Sequence, residues 1–573
     1  MSESAQSREN GLKWIAAAIL VAWSALIALG YFARLSYGQE DDEFQHLHMA
    51  WRIGQGEVPY RDFFELHPPL WHMVMAPIVR DLTSFAHAPF VELRAVHAMA
   101  IALMLLASHA ILRRLMPPAP AALGAGLFLI SSAFSFAWFD IRPDWIALLC
   151  LLIAVVLITS RSVNPRSQLL RFAAAGIIAG VACTMTQKSW FIVLGFLLWL
   201  IATTIFAPST DTRRTRLARA GAFIAAGAAV GCVLLGYFAL RDSAGHLVND
   251  TLLVHIGAPR ERWFAGYFRA SAAPGAGLLA MGAIAMAITF RRFHAELRYA
   301  GPRGLLATLG LIGGIAYLIT PAPFEQSYLF LICIWQSLLA AVLIWDVVRE
   351  PSDARARRVV LIASIALVVL LAVGQKTTHD RIVVGASWLA ALLMAAVVST
   401  ILLQHAARVR ATAVLLVFSA IGIAFVVHDN VNALRFDDRA QRQARMYEAL
   451  ESQLAPGEPI IAMWPPALPF RNHTGTFPFA HHTILELFGP QVEAEYLAAI
   501  DRGDVNVVFG YMPVFAQWLP EFDRVLKRQF RPLSESPTIY DESCQTWVRI
   551  EGEVARSRAA GKKDGVVVEA DVP

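Results

Sequence analysis

"EDDEFQHLHMAWRIGQGEVPYRDFFELHPPL", Glu40–Leu70, follows a hydrophobic segment and leads towards another. It opens on consecutive carboxylates, closes on a histidine and two prolines, and fills the middle with aromatics and charges. On insertion scales a carboxylate at the centre of a bilayer costs roughly 3 kcal/mol, so Asp41, Asp42 and Glu43 belong in water or in a polar cavity at the membrane edge. "EFQHLHMAWRIG" then spaces Phe44, Leu47, Met49, Ala50 and Ile53 as a helix does and stops at Gly54. That pattern predicts a short amphipathic helix lying at the interface. Asp42 with Gln45 three residues on reads as a capping-box start, and His46 and His48 as exposed helix residues. Pro68 and Pro69 force an extended entry into whatever follows.

The rest of the chain explains why so polar a loop is worth notice. Of its 573 residues 57% are hydrophobic and only 16% charged, which excludes an ordinary soluble protein. About thirteen apolar runs have the length to cross ~30 Å of hydrocarbon as helices. They fall roughly at 14–34, 92–112, 119–138, 143–159, 171–186, 189–206, 217–240, 273–290, 303–320, 326–346, 358–374, 381–403 and 410–427. The apolar stretch Phe172–Ala207 would be ~54 Å long as one helix, too long for one crossing, and "QKS" at Gln187–Ser189 is where it divides. With the N-terminus inside, every even-numbered gap carries arginine, among them "APSTDTRRTRLAR" and "DVVREPSDARARR", as the positive-inside tendency requires. The opposite gaps hold the opening loop, "FDIRPD", "QKS", the 241–272 stretch, "TPAPFEQ" and "QKTTHDR".

This topology places residues after about 428 outside. The formal net charge of +5 therefore lies largely on cytoplasmic arginines, and no clustered basic and aromatic face marks a nucleic-acid partner. The first span has no small-residue cleavage site and reads as a retained anchor. Cys150, Cys183, Cys232 and Cys333 sit in expected spans and Cys544 stands apart, so neither a disulfide framework nor a zinc spacing is visible. The expected organisation is a cytoplasmic lead at 1–13, a membrane domain at 14–428 with its first external loop at 37–91, a small α/β domain at 429–551, and a disordered tail at 552–573. "PIIAMW" (Pro459–Trp464), "VNVVFGY" (Val505–Tyr511) and "TWVRIEG" (Thr546–Gly552) read as strands; "VEAEYLAAIDRG" and "PEFDRVLKRQF" have helical spacing. Arginine- and alanine-rich composition suggests a bacterium, hence an inner-membrane protein with a periplasmic C-terminal domain; in that setting the N-x-T triplets at Asn249 and Asn472 carry no meaning.

Taken together, these features resemble the GT-C superfamily of integral-membrane glycosyltransferases, in particular the branch of protein O-mannosyltransferases and of the aminoarabinose transferases that modify lipid A. The matching residues are Asp42–Glu43 just after the first span and "HPPL" at His67–Leu70, with "GEVPYRDFFE" between them. "IRPD" (Ile141–Asp144) before the fourth span and "EQSYLFLICI" (Glu325–Ile334) near the tenth extend the likeness over most of the chain. The resemblance implies a polytopic α-helical fold and inverting transfer of a sugar from a polyprenyl-phosphate carrier to a lipid, polysaccharide or protein acceptor on the outer face, among membrane lipids.

An acceptor hydroxyl needs a base to take its proton, and Asp42 matches the family's acid; Asp41 serves instead if the register slips by one. Asp41 and Glu43 should raise the basicity of Asp42, and Glu43 is a candidate for binding acceptor or supporting a metal. The departing phosphate gains charge, which calls for cationic donors. His67 matches the family's Lys or His position; as a histidine it makes phosphate contact depend on pH near ~6.5. Arg142 and Lys188 fall in external turns, where each also has a plain structural use, anchoring a helix end or snorkelling to headgroups. Asp144 orients Arg142 or caps its helix. Tyr328 matches a tyrosine near the carrier phosphate in relatives, or is an interfacial one. Arg260, Arg262 and Arg269, among Trp263, Tyr267 and Phe268, are candidates to fold over a bound carrier. His473, His481 and His482 read as surface residues. Carboxylates facing a phosphate invite Mg²⁺ or Mn²⁺, and the need for either stays open.

Two other readings remain at this level. A flippase of lipid-linked sugars would favour ionisable or broken positions near the midplane in repeated halves, whereas these polar clusters gather at external helix ends and no repeat shows. A non-catalytic scaffold would depend on 429–573 and be indifferent to Asp42.

Overall fold

The computed structural model describes residues 3–36, 41–82, 87–130, 139–160, 164–206, 212–254, 301–319, 326–349, parts of 441–477, 482–532 and 545–550, with a few of these by backbone alone. The spans expected at 273–290, 358–374, 381–403 and 410–427, and the tail, lie outside the described residues.

Long apolar sequence gives long helices. α1 (Glu3–Ser36), α4 (His87–Leu112), α8 (Lys188–Phe206) and α9 (Arg213–Ala239) each contain a stretch long and apolar enough to cross a membrane. Their outward faces are apolar yet uncovered: Trp14, Val21, Met99, Ile201 and Val233 are exposed, as suits side chains meant for hydrocarbon. The chain is a multi-pass membrane protein. α6 (Pro143–Thr159) coincides with its expected span and is buried on nearly every side. α7 (Pro165–Cys183) ends at Thr184 and α8 starts at Lys188, so the long apolar stretch does divide at the polar turn. α7 and α9 pack at glycine: a Cβ on Gly176 would lie 2.2 Å from the Phe223 carbonyl oxygen, the small-residue approach of membrane helices. α5 (Pro118–Ala125), α11 (Pro302–Ile319) and α12 (Gln326–Arg349) complete the described membrane helices, while α10 (Ala244–Val248) is a short turn after α9. Trp23 of α1 donates its Nε1–H to the Ala122 carbonyl of α5 at 3.1 Å.

α2 (Asp41–Gly54) and α3 (Leu70–Val79) form a side-by-side pair between the first two crossings. His46 meets His72 near their beginnings and Gly54 meets Arg80 near their ends, so the two run in the same sense and residues 55–69 carry the chain back. A Cβ on Gly54 would fall 2.5 Å from that of Arg80. Two expectations change here. α2 does not lie on a water interface, because His46 and His48 are buried together with Phe44, Leu47, Met49 and Ala50. Asp42 is not the N-cap either, since the helix already includes Asp41. The apolar periodicity was real, but α4 and the C-terminal region cover the polar face as well.

The C-terminal region builds a four-stranded sheet in the order β1-β2-β4-β3. β1 (Ile461–Ala462) runs parallel to β2 (Val507–Tyr511), with Ile461 opposite Val508; β4 (Gln545–Arg549) is antiparallel to both β2 and β3 (Phe530–Pro532). α13 (His482–Asp501) and α14 (Pro520–Gln529) supply Val492, Tyr496, Phe522 and Leu526 to its core. Phe530, read from sequence as the end of a helix, starts a strand. Phe64 of the opening loop belongs to this same core, and its amide donates to the Thr476 carbonyl at 2.9 Å. The loop and the sheet are therefore packed as one piece.

Candidate active site

Adjacent residues on a helix point about 100° apart, and α2 uses this to separate its acids. Glu43 turns inward. It is fully buried and accepts from Arg94 Nε at 2.8 Å, from Arg34 at 3.3 Å and from the Ile141 amide at 3.1 Å. Arg34 also meets Asp140 at 2.6 Å, and Arg94 donates to the Arg34 carbonyl at 3.0 Å, closing the end of α1. Two arginines and two carboxylates thus neutralise one another without water, knotting α1, α2, α4 and the 139–142 segment. Enclosed in this way, Glu43 is a structural acid, and the expectation that it touches acceptor or metal changes to one of support.

Asp42 turns outward, about one-third exposed, and pairs with Arg142. Arg142 is the extended N-cap of α6, set there by Pro143, and its carbonyl faces His97 Nε2 of α4 at 3.1 Å. Asp144 does not orient Arg142. It accepts from Lys188 Nζ at 2.9 Å and from Thr186 Oγ1 at 2.8 Å. The same turn reaches the "HPPL" segment: Gln187 donates to the Leu66 carbonyl, and the Leu70 amide to the Thr184 carbonyl at 3.0 Å. His67 and Lys188 are thereby held on the Asp42 side of the membrane helices.

His67 leans on Glu65, whose Oε1 lies 2.6 Å from Nδ1 and also accepts the His67 amide at 2.8 Å. Burial opposes a charge on His67, but the Glu65 hydrogen bond and charge, helped by Asp42, outweigh it and raise its pKa. Burial likewise opposes a charge on Glu65, yet His67 holds it below the usual carboxylate range. Burial, then the charges of His67, His72, Arg142 and Lys188, depress His46 strongly; burial takes His72 to about 4. His46 Nδ1 and His72 Nε2, 2.9 Å apart, are thus a neutral donor–acceptor pair, and His67 is the member of the trio that favours the imidazolium form.

The remaining candidates divide. His473 is buried rather than on the surface, its ring stacked on that of His48 at 3.7 Å. Tyr328 lies in α12 with backbone alone described, as do His482 at the start of α13 and Asp41 in α2. Arg260, Arg262, Arg269, His481 and Asn472 lie outside the described residues. For a divalent cation, no group of three His, Cys, Asp or Glu side chains among the described residues is placed to hold one, and Asp42, Glu43, Asp140 and Asp144 each face a cationic side chain. Sequence reading missed Arg34, Arg94, Asp140, Glu65 and the His46–His72 pair. The available signal was an arginine near the end of each of the first two spans, where an ionisable residue calls for a partner.

No family model and no curated protein matches the chain. Solved structures do. ArnT from Cupriavidus metallidurans bound to undecaprenyl phosphate matches over 93% of this chain and 97% of its own, at 14% identity and a TM-score of 0.59. The apo state of that protein matches over 93% and 98%, at 13% identity and 0.56. The chain shares the fold of these ArnT structures. An oligosaccharyltransferase of Archaeoglobus fulgidus in the apo form is more distant, at 13% identity and 0.46 over 92% of this chain and 75% of its own. In this chain Asp42, Arg142, His67 and Lys188 gather about the loop after the first crossing.

Proposed function

We propose that the protein is an inverting glycosyltransferase that moves a sugar from a polyprenyl-phosphate carrier to a hydroxyl of an envelope acceptor at the periplasmic face of a bacterial inner membrane. The observation that carries this reading is one partly exposed carboxylate, Asp42, set among Arg142, His67 and Lys188 at the ends of membrane helices. Likeness to a structure bound to undecaprenyl phosphate supports the carrier class.

In the reaction the acceptor oxygen attacks the anomeric carbon from the face opposite the phosphate, and Asp42 takes its proton. The carbon–oxygen bond to the phosphate breaks, its electron pair leaves on the phosphate, and the configuration inverts. Arg142 has two roles in sequence: it pairs with Asp42 in the free site and turns its donors to the phosphate when the carrier binds. That exchange removes a cation from Asp42 as the acceptor arrives, which strengthens the base when it is needed. Lys188, steadied by Asp144, and His67, steadied by Glu65, are the other donors to the growing phosphate charge. Tyr328, Arg260 and Arg262 are proposed carrier contacts on sequence grounds, and 429–551 is proposed as the periplasmic domain.

The test supplies a radiolabelled polyprenyl-phosphate sugar to the purified protein with envelope extract as acceptor. Label should pass to the acceptor, and Asp42→Asn should abolish the transfer. Transfer at the parental rate by Asp42→Asn would refute the assignment; movement of intact carrier across proteoliposomes without bond cleavage would replace it with transport.

A further inference from the structure

The "HPPL" segment contains a device that the bare motif does not suggest. Glu65, two residues before His67, is almost fully buried, and its Oε1 accepts both the His67 amide and the Nδ1–H. Its second oxygen, Oε2, is buried and has no hydrogen-bond partner. The carboxylate is therefore aimed at one residue. The segment is pinned around it: Tyr60 Oη donates to the His67 carbonyl at 2.6 Å, and Gln187 holds the Leu66 carbonyl. Tyr60 itself sits at φ 70°, a conformation that a bulky residue keeps only where the surroundings enforce it. The His67 ring stands edge-on to His46 at 4.8 Å and keeps 29% of its side chain exposed. With Nδ1 engaged, Nε2 is the nitrogen left to face the open side.

We infer that Glu65 is a positioning residue that holds the His67 ring by its Nδ1–H and presents its Nε2–H to the donor phosphate. This rests on the proposed function for the identity of the phosphate, and goes beyond it in naming what charges the histidine. A carboxylate behind an imidazole fixes the tautomer and orientation and makes the ring more basic. The charged and titratable groups around the ring are Asp42 and His46 from α2, His72 from α3, Lys188 from α8 and Glu65 on its own segment; Glu65 in turn acts on Asp250, beyond α9. His46 and His72 are held neutral, so neither competes for the charge. The consequence shifts the simple expectation of a contact that fades near pH 6.5: the phosphate contact persists to a higher pH than an isolated histidine would allow.

The experiment uses the full chain in detergent with ¹³C/¹⁵N-labelled histidine. The His67 ring midpoint, assigned by its loss in His67→Lys, is followed by NMR in the parent and in Glu65→Gln, which keeps the shape of the side chain. Binding of undecaprenyl phosphate is measured across the same pH range. The expected result is a parental midpoint above 6.5 that falls by about one pH unit or more in Glu65→Gln. Carrier binding at pH 8 should fall about tenfold in Glu65→Gln and recover when His67→Lys is added, which a merely structural glutamate would not allow. An unmoved ring midpoint overturns the inference. So does a binding loss equal at every pH and not rescued by lysine. A midpoint that moves in a protein binding no carrier at any pH overturns the functional reading instead, and leaves the Glu65–His67 pair standing.

Discussion

Glu43→Gln is the sharpest test of how the site is held. The buried set at the end of α1 contains Arg34, Arg94, Glu43 and Asp140, all at most 1% exposed, so its formal charges cancel. Glutamine fills the same space but leaves one positive charge uncompensated where water does not reach. Breaking a buried ion pair from one side costs about 3–5 kcal/mol, because the stranded charge keeps its desolvation penalty and loses its partner. At ~2 °C per kcal/mol, the low end for larger domains, that is a fall in Tm of ~6–10 °C. The measurement is thermal unfolding of detergent-purified protein, with sugar transfer assayed on the same sample below the transition. Adding Arg94→Met removes the stranded charge, so the double variant should recover part of the loss, and the two effects should fail to add by more than ~1 kcal/mol. A Glu43→Gln protein that melts within ~1 °C of the parent yet transfers no sugar would refute this account. It would return Glu43 to direct contact with substrate.

Asp42→Asn should lower transfer by ~10²-fold or more while leaving Tm within about 2 °C, because a carboxylate this exposed loses little stability with its charge and its pairing to Arg142; turnover and unfolding together check this. Asp250 has its pKa raised to about 6 by burial, so the folded state binds more protons than the unfolded one between about 4 and 6, and stability falls as pH rises through that window. Asp250→Asn should therefore stabilise at pH 7 by ~1–3 kcal/mol and by almost nothing at pH 4, a difference that melting curves at the two pH values would show. Gly54→Leu must part α2 from α3, where a Cβ already meets Arg80 at 2.5 Å, and should destabilise by ~1–3 kcal/mol with some loss of transfer. Phe64→Ala removes the aromatic that the opening loop places against Phe477 and Phe488, at a cost of ~3–5 kcal/mol; limited proteolysis should then cut the 429–551 region sooner than in the parent.

The sequence carried the membrane helices well because their signal is local. A run such as Pro143–Thr159 needs no knowledge of its neighbours to be read as a helix, and Gln187–Lys188 marks its own break. The strands at Val507–Tyr511 and Gln545–Arg549 were legible for the same reason, being short and dense in β-branched and aromatic residues. What stayed hidden was pairing at a distance. Asp140 and Arg34 are far apart in sequence, and nothing in "FDIRPD" tells which arginine its first aspartate will meet. His46, His48 and His473 read as exposed because a histidine's type alone does not show what will cover it. Burial came from the C-terminal region folding onto α2, a contact that no window along the chain contains.

The register of the acids shows the same limit and how geometry resolves it. Asp41, Asp42 and Glu43 follow one another directly, so sequence alone offers Asp42 as the base, Asp41 if the register slips by one, and Glu43 for binding acceptor or supporting a metal. A helix allows only one of two adjacent residues to face a given side. Glu43 meets Arg34, Arg94 and the Ile141 amide, so both its oxygens are already engaged by donors of the chain itself. Asp42 faces Arg142 on the open side, where one partner can be exchanged for a phosphate. The buried acid thus fixes the rotation of α2 and the outer acid uses that rotation. Exchanging the two side chains, Asp42→Glu with Glu43→Asp, keeps composition and charge but lengthens the outer arm and shortens the inner one by a methylene. If support and chemistry are divided as described, each single exchange fails differently: Glu43→Asp in melting temperature, Asp42→Glu in turnover. The double exchange should show both defects and repair neither; restored transfer would mean that the acids work as an interchangeable pair, against the division drawn from their burial.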